Sequence, residues 1–124
     1  MEVSDHEGIM KRKAATNYLK THRRRFGLTQ REMGELLGYK DPGQVSRHER
    51  SKSIPSLRIA LAYELIFRVP VAALFVGLHG SIRGNVENKL RQMETELHGR
   101  TAMDSDAKLV AQKLVWLNER RNRE

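Results

Sequence analysis

Thirteen basic side chains crowd the stretch from Lys11 to Arg58: Lys11, Arg12, Lys13, Lys20, Arg23, Arg24, Arg25, Arg31, Lys40, Arg47, Arg50, Lys52 and Arg58. Four acids, Glu32, Glu35, Asp41 and Glu49, leave that stretch at +9, so the other 76 residues sum to −1. A surplus this local suits a polyanion, and nucleic acid is the commonest one; a solvated basic surface is the plainer reading. Other chemistries find no footing. His48-Glu49-Arg50-Ser51 is not the H-E-x-x-H of a zinc site, and His6, His22, His79 and His98 lack ligand spacing. With no cysteine there is no thiolate metal site, thiol nucleophile or disulfide. Gly77, Gly80 and Gly84 follow no strand pattern and lead into no Gly-Lys-Ser/Thr, and no nucleophile elbow is present. The expectation is a binding protein with no metal, cofactor or enzymatic activity.

Length limits what can position these residues. The 124 residues, 39% hydrophobic and 31% charged, suffice for one domain or one domain with an appendage. Such a core is small, and the chain is expected to lean on a partner. The longest uncharged run, Val69 to Ile82, is too short to span a bilayer. MEVSDHEGIMKRK at the N-terminus has acids and no apolar h-region. These features predict no membrane segment, and the missing cysteines suit the cytoplasm.

Only helical periodicity is visible. Residues 1–13 are polar and aperiodic and read as a flexible arm ending in Lys11-Arg12-Lys13. A first helix runs from Ala15, with Ala15, Tyr18, Leu19, His22 and Phe26 on one face, to Gly27. Thr29 and Glu32 then make a capping box, with Leu28 and Met33 at the staple positions; Met33, Leu36 and Leu37 form the stripe and Gly38 the stop. Asp41 is a candidate N-cap for a second short helix, with Pro42 at its first position and Gln44 where a capping box places Glu or Gln. A longer apolar helix covers about Ser56 to Phe67 through Leu57, Ala60, Leu61 and Leu65. Pro70 opens a short helix carrying Val71, Leu74 and Phe75 that fades at Gly77. Beyond, Ile82, Val86, Leu90, Met93 and Leu97 make one stripe; Asp104 can cap, and Ala107, Val110, Ala111, Leu114 and Leu117 make another.

Two short helices split by a tight turn form a helix-turn-helix, which presents its second helix to a groove. The residues Leu28-Thr29-Gln30, Glu32-Met33, Leu36-Leu37-Gly38, Val45-Ser46-Arg47, Glu49-Arg50, Pro55-Ser56-Leu57 and Leu74-Phe75 resemble the Cro/phage-repressor (XRE) helix-turn-helix family over roughly residues 14–78. Gly34 stands where the family usually has Ala, and the turn Tyr39–Gly43 is one residue longer than its commonest form. The resemblance implies an all-α fold: a five-helix repressor-like domain at 14–79, after the arm at 1–13, with C-terminal amphipathic helices at 80–124. It also implies double-stranded DNA as partner. Gly43, Gln44, Ser46 and Arg47 then face bases, since Gln suits adenine and Arg guanine by paired hydrogen bonds. Gln44 as a cap on Asp41 and Arg47 as a phosphate contact stay open. Gln30, Arg23, Lys40, Arg50 and Lys52 fall at the sugar-phosphate backbone, with an ordinary surface role the alternative for Gln30. Arg23 and Glu49 match a family ion pair, against a simple solvated basic run at 23–25. His48 stands at a packing position.

The C-terminal stripes either fold back over the core or make a homodimer interface of Val86, Leu90, Met93, Leu97, Val110, Leu114, Trp116 and Leu117; the second is favoured, because one domain binds a half-site weakly. The expected function is a sequence-specific transcriptional regulator, a repressor acting as a homodimer. The alternatives are an antitoxin whose tail binds a toxin, and a helical adaptor that no longer binds DNA.

Overall fold

The computed structural model describes residues 16–100 and 106–123. The basic arm, Ala15 and Asp104 lie outside the described residues. Among those described the chain is all-α, with helices α1 (Leu19–Arg25), α2 (Gln30–Leu37), α3 (Gly43–Glu49), α4 (Leu57–Phe67), α5 (Val71–Leu74), α6 (Val76–His98) and α7 (Ala107–Asn122). It divides into two compact units, Met1–Ile82 and Arg83–Glu124.

In the first unit the local signals act as chemistry dictates. Thr29 Oγ1 accepts the Glu32 N–H at 3.0 Å, and Glu32 Oε1 accepts the Thr29 N–H at 3.0 Å. Two donors that the start of α2 would leave unpaired are thereby satisfied. Those bonds to Thr29 also hold the Glu32 carboxyl below the usual carboxylate range. Gly38, at φ +91°, ends α2 with its N–H on Glu35 O and the Tyr39 N–H on Gly34 O. Gly27, at φ +70°, ends α1 the same way, with the Leu28 N–H on Arg23 O. Leu19, Met33, Leu37, Val45, Ala60, Tyr63, Phe67, Leu74 and Phe75 converge in one core.

Two expectations need correction, the start of the first helix and the break at Gly77, and one orientation that the sequence left open is set by packing. Helix α1 starts at Leu19, and Tyr18 and Phe26 are about half exposed; Phe26 caps the core from outside, stacked on Phe67 at 6.0 Å. On α4 the inward residues are Ala60, Tyr63 and Phe67, while Leu57, Leu61 and Leu65 stand on the surface. A nearly all-apolar helix offers no polar face to set its rotation, so the periodicity left the buried side undetermined. Finally, α6 begins at Val76 and passes through Gly77, Gly80 and Gly84. Glycine ends a helix where a positive φ reverses the chain, and among the described glycines only Gly27 and Gly38 have one. The Gly77 N–H, an orphan donor in the first turn, bonds Thr16 O at 2.9 Å.

In the second unit the rest of α6 and α7 make an antiparallel hairpin. Leu97 and Leu117 are buried, and Leu90, Val110 and Leu114 are half-buried. Arg120 Nη2 donates to Glu87 Oε1 at 2.9 Å and Arg121 pairs with Glu94. Both carboxyls are held below their ordinary range, first by these hydrogen bonds. Only part of each stripe is thus covered within the hairpin. Val86, Met93 and Trp116 remain 43%, 41% and 46% exposed.

Gly34 is buried on α2 where the helices of the motif approach, and a Cβ there would lie 3.8 Å from Pro42 Cα and Val45 Cγ2, an ordinary contact. Gly34→Ala is therefore expected to raise stability by about 0.5–1 kcal/mol, read as a higher urea midpoint. Gly38→Ala, forced to φ +91°, should lower it by about 1–2 kcal/mol.

Candidate nucleic-acid interface

Helix α3 has only seven residues, too few to persist unaided in water, so its pose is set by what holds it. Its start is closed by Asp41, whose Oδ1 accepts the Gly43 N–H at 2.9 Å. A Cβ at Gly43 would meet both carboxylate oxygens of Asp41 at 3.1 Å, so the cap fits around a glycine. Val45 and His48 turn inward and are buried. His48 Nδ1 shares a 3.0 Å hydrogen bond with Tyr63 Oη, and its ring lies between Tyr39 and Tyr63 at 5.9 and 5.8 Å. Burial, reinforced by the Arg47 charge, pushes the imidazole pKa down; burial pushes the Tyr63 phenol up. Both shifts favour the uncharged forms.

The firmest hold is Glu49. Its carboxylate, 4% exposed, accepts Arg23 Nε at 2.6 Å and Nη2 at 3.2 Å, and Gln30 Nε2 at 3.1 Å. Arg23 Nη1 donates to Leu28 O at 2.8 Å, closing the turn between α1 and α2. One carboxylate therefore joins three helices through bidentate, charge-assisted bonds. Arg23 is buried, with both terminal nitrogens engaged by protein. Gln30 has one amide donor committed to Glu49.

Asn17 was not singled out in the sequence. Its Oδ1 accepts the Leu19 N–H at 3.1 Å, and its Nδ2 lies 3.2 Å from His48 O, 3.4 Å from Glu49 O and 3.0 Å from Ser51 Oγ. One amide thus caps the start of α1 and the end of α3. An Asn just ahead of an apolar run is a capping signal, hidden here because Ala15 and Tyr18 extend the helical pattern upstream. Ser51 sits at φ +56°, with its N–H on His48 O and the Lys52 N–H on Arg47 O at 2.8 Å.

Gln44, Ser46 and Arg47 are partly exposed, on the sides of α3 left over by Val45, His48 and Glu49, while Lys40, Arg50 and Lys52 are exposed. Arg50 Nε lies 3.4 Å from Ser46 O, a weak bond that leaves the guanidinium in solvent. An amide and a guanidinium on a helix locked from behind, with cations around it, can meet base edges and phosphates. Among the described residues no group of three or more His, Cys, Asp or Glu could hold a metal ion, and no helix is long and apolar enough to cross a membrane.

Removing one partner of the Arg23–Glu49 pair strands a buried charge, so Glu49→Gln should cost about 3–5 kcal/mol. A double-mutant cycle with Arg23→Met in urea is expected to give strong coupling; a value near zero would mean the pair contributes nothing. Because the His48 pKa is depressed in the folded chain, folded and unfolded states differ in bound protons only below the ordinary histidine pKa of about 6.5. Stability relative to His48→Gln should be flat above that pH and fall as pH drops through the lowered native pKa, as chemical unfolding at stepped pH would show.

A family model described as Helix-turn-helix matches residues 19–74, the segment from α1 through α5. No curated protein and no solved structure matches the chain. The matched span contains the capped α2, the turn, α3 and every residue of the Glu49 cluster. Residues 19–74 are therefore a helix-turn-helix domain of the Cro/phage-repressor (XRE) type, the kind of module that binds DNA.

Proposed function

We propose that the chain is a repressor that occupies an operator as a homodimer, with α3 in the major groove. Gly43, Gln44, Ser46 and Arg47 meet base edges, and Gln30, Lys40, Arg50 and Lys52 meet the sugar-phosphate backbone. Arg23 serves the ion pair that sets the helix. The observation that carries this reading is the division of α3 into an inner row, Val45, His48 and Glu49, fixed by packing and hydrogen bonds, and an outer set whose amide and guanidinium are free of core duties. Repression follows from occupancy alone, since a bound domain blocks promoter DNA without further machinery. A dimer follows from scale: one module reads a short half-site, and specific affinity comes from two.

Selection of bound duplexes from a random pool should return an inverted repeat with half-site centres about 34–36 Å, or a multiple of that, apart. Arg47→Ala is expected to cost about 1–3 kcal/mol and relax the preference at one base pair per half-site. Lys52→Ala should weaken all sequences alike and flatten the salt dependence by about one unit of slope per half-site. If Arg47→Ala instead weakens every sequence equally, Arg47 is a phosphate contact and the base-reading assignment fails.

A further inference from the structure

We infer that the cleft between the loop after α3 and helices α4–α6 binds a small neutral amphipathic molecule, with its polar head at Ser53 and its apolar body over Ile54, Phe75 and Leu78, and that this guest braces the end of α3. The binding site stands on the geometry of the first unit alone; its effect on DNA rests on the reading above.

The cleft has two lobes. The polar lobe, about 230 Å³, is walled by Asn17, His48, Ser51 and Ser53. The apolar lobe, about 220 Å³, is walled by Leu57, Val71, Ala72 and Ile82. Ile54, Pro55, Phe75 and Leu78 line both, so the lobes adjoin. Together they come within the range of about 300–1,000 Å³ typical of small-molecule sites. At the rim Ile54, Leu57 and Ile82 are 71%, 74% and 51% exposed. Large apolar side chains gathered at one opening mark a binding surface, whereas scattered ones do not.

Two features set the chemistry of the guest. Ser53 Oγ is shut off from solvent and has no hydrogen-bond partner among the described residues, and a buried hydroxyl of that kind leaves a bond to be made. Neutrality follows from the lining. The first unit carries fourteen basic residues, yet no Asp, Glu, Lys or Arg lines either lobe. A charged head would lose its water there with nothing to pair it. Water suits the polar lobe alone, since the apolar lobe offers it few partners.

The polar lobe is also where α3 is fastened. Asn17 Nδ2 bonds His48 O and Ser51 Oγ there, and its Oδ1 is committed to the Leu19 N–H. A guest that bonds Ser53 therefore adds contacts to the loop after α3 without displacing any. Occupancy stiffens the end of α3, and guest and DNA then tighten each other by one common factor.

The test uses the full chain and octanamide, a neutral head on a short alkyl chain, with octanoate as its charged counterpart. In ¹³C-methyl spectra, octanamide at millimolar concentration is expected to shift the Ile54, Leu78 and Ile82 signals saturably, and octanoate should bind about tenfold or more weakly. Ser53→Ala should weaken octanamide about three- to tenfold. Ala72→Phe, at an exposed position, should abolish binding with the helical spectrum kept. Saturating octanamide should tighten the selected duplex about fivefold or more, and the duplex should tighten octanamide equally. No saturable shift, equal binding of octanoate, or binding that survives Ala72→Phe overturns the site; unchanged affinity in Ser53→Ala overturns the placement of the head. Octanamide that binds as expected but leaves duplex affinity unchanged or lower overturns the bracing of α3. A chain that binds octanamide and selects no duplex overturns the DNA reading and leaves the site standing.

Discussion

The pose of α3 depends on one buried carboxylate. Glu49 takes three hydrogen bonds from α1 and α2, and Arg23 spends its remaining terminal nitrogen on the turn between them. Ions taken out of water are tolerated only when their partners are in place, and the geometry that satisfies them is narrow. The pair is accordingly less a source of net stability than a constraint on angle. The recognition helix can rock only by breaking bonds that have no solvent to replace them.

Other contacts spread this constraint. The Tyr18 N–H bonds Leu74 O at 2.9 Å and Thr16 O takes the Gly77 N–H, so the segment entering α1 is laced to the junction of α5 and α6. Asn17, between them, reaches the last carbonyls of α3. Three consecutive residues therefore touch the ends of four helices. His48 and Tyr63 complete the inner wall with a hydrogen bond in place of an all-apolar contact, which fixes rotation as well as depth.

Much of this was legible in the residues. The capping box at Thr29 and Glu32, the stop at Gly38 and the Asp41 signal are local chemistry, and they bound α2 and α3 to within a residue or two. What local pattern could not supply was orientation. On α4 apolar residues outnumber Arg58 and Glu64 and stand on every side, and only the neighbouring helices decide that Tyr63 turns in while Leu61 turns out. Spacing also does not identify Glu49 as a partner of Arg23, twenty-six residues away; that pairing came from the family resemblance. The helix expected to fade at Gly77 has another running on through Gly77, Gly80 and Gly84, because composition does not distinguish a glycine that reverses the chain from one that a helix absorbs. The two C-terminal stripes were visible as stripes, but their packing against each other was not, since a pattern of apolar residues specifies that a surface is covered and leaves open by what.

The separation of duties along α3 reaches beyond this one binding event. Val45, His48 and Glu49 belong to the fold, and changing any of them disturbs partners on other helices. Gln44 and Arg47 belong to no core contact of that kind, so their replacement leaves the scaffold as it is. On the reading proposed above, the address and the machine that carries it are written in different positions of the same seven residues. A lineage, or a designer, can rewrite the first while inheriting the second intact, and new operators become reachable through substitutions that folding does not oppose.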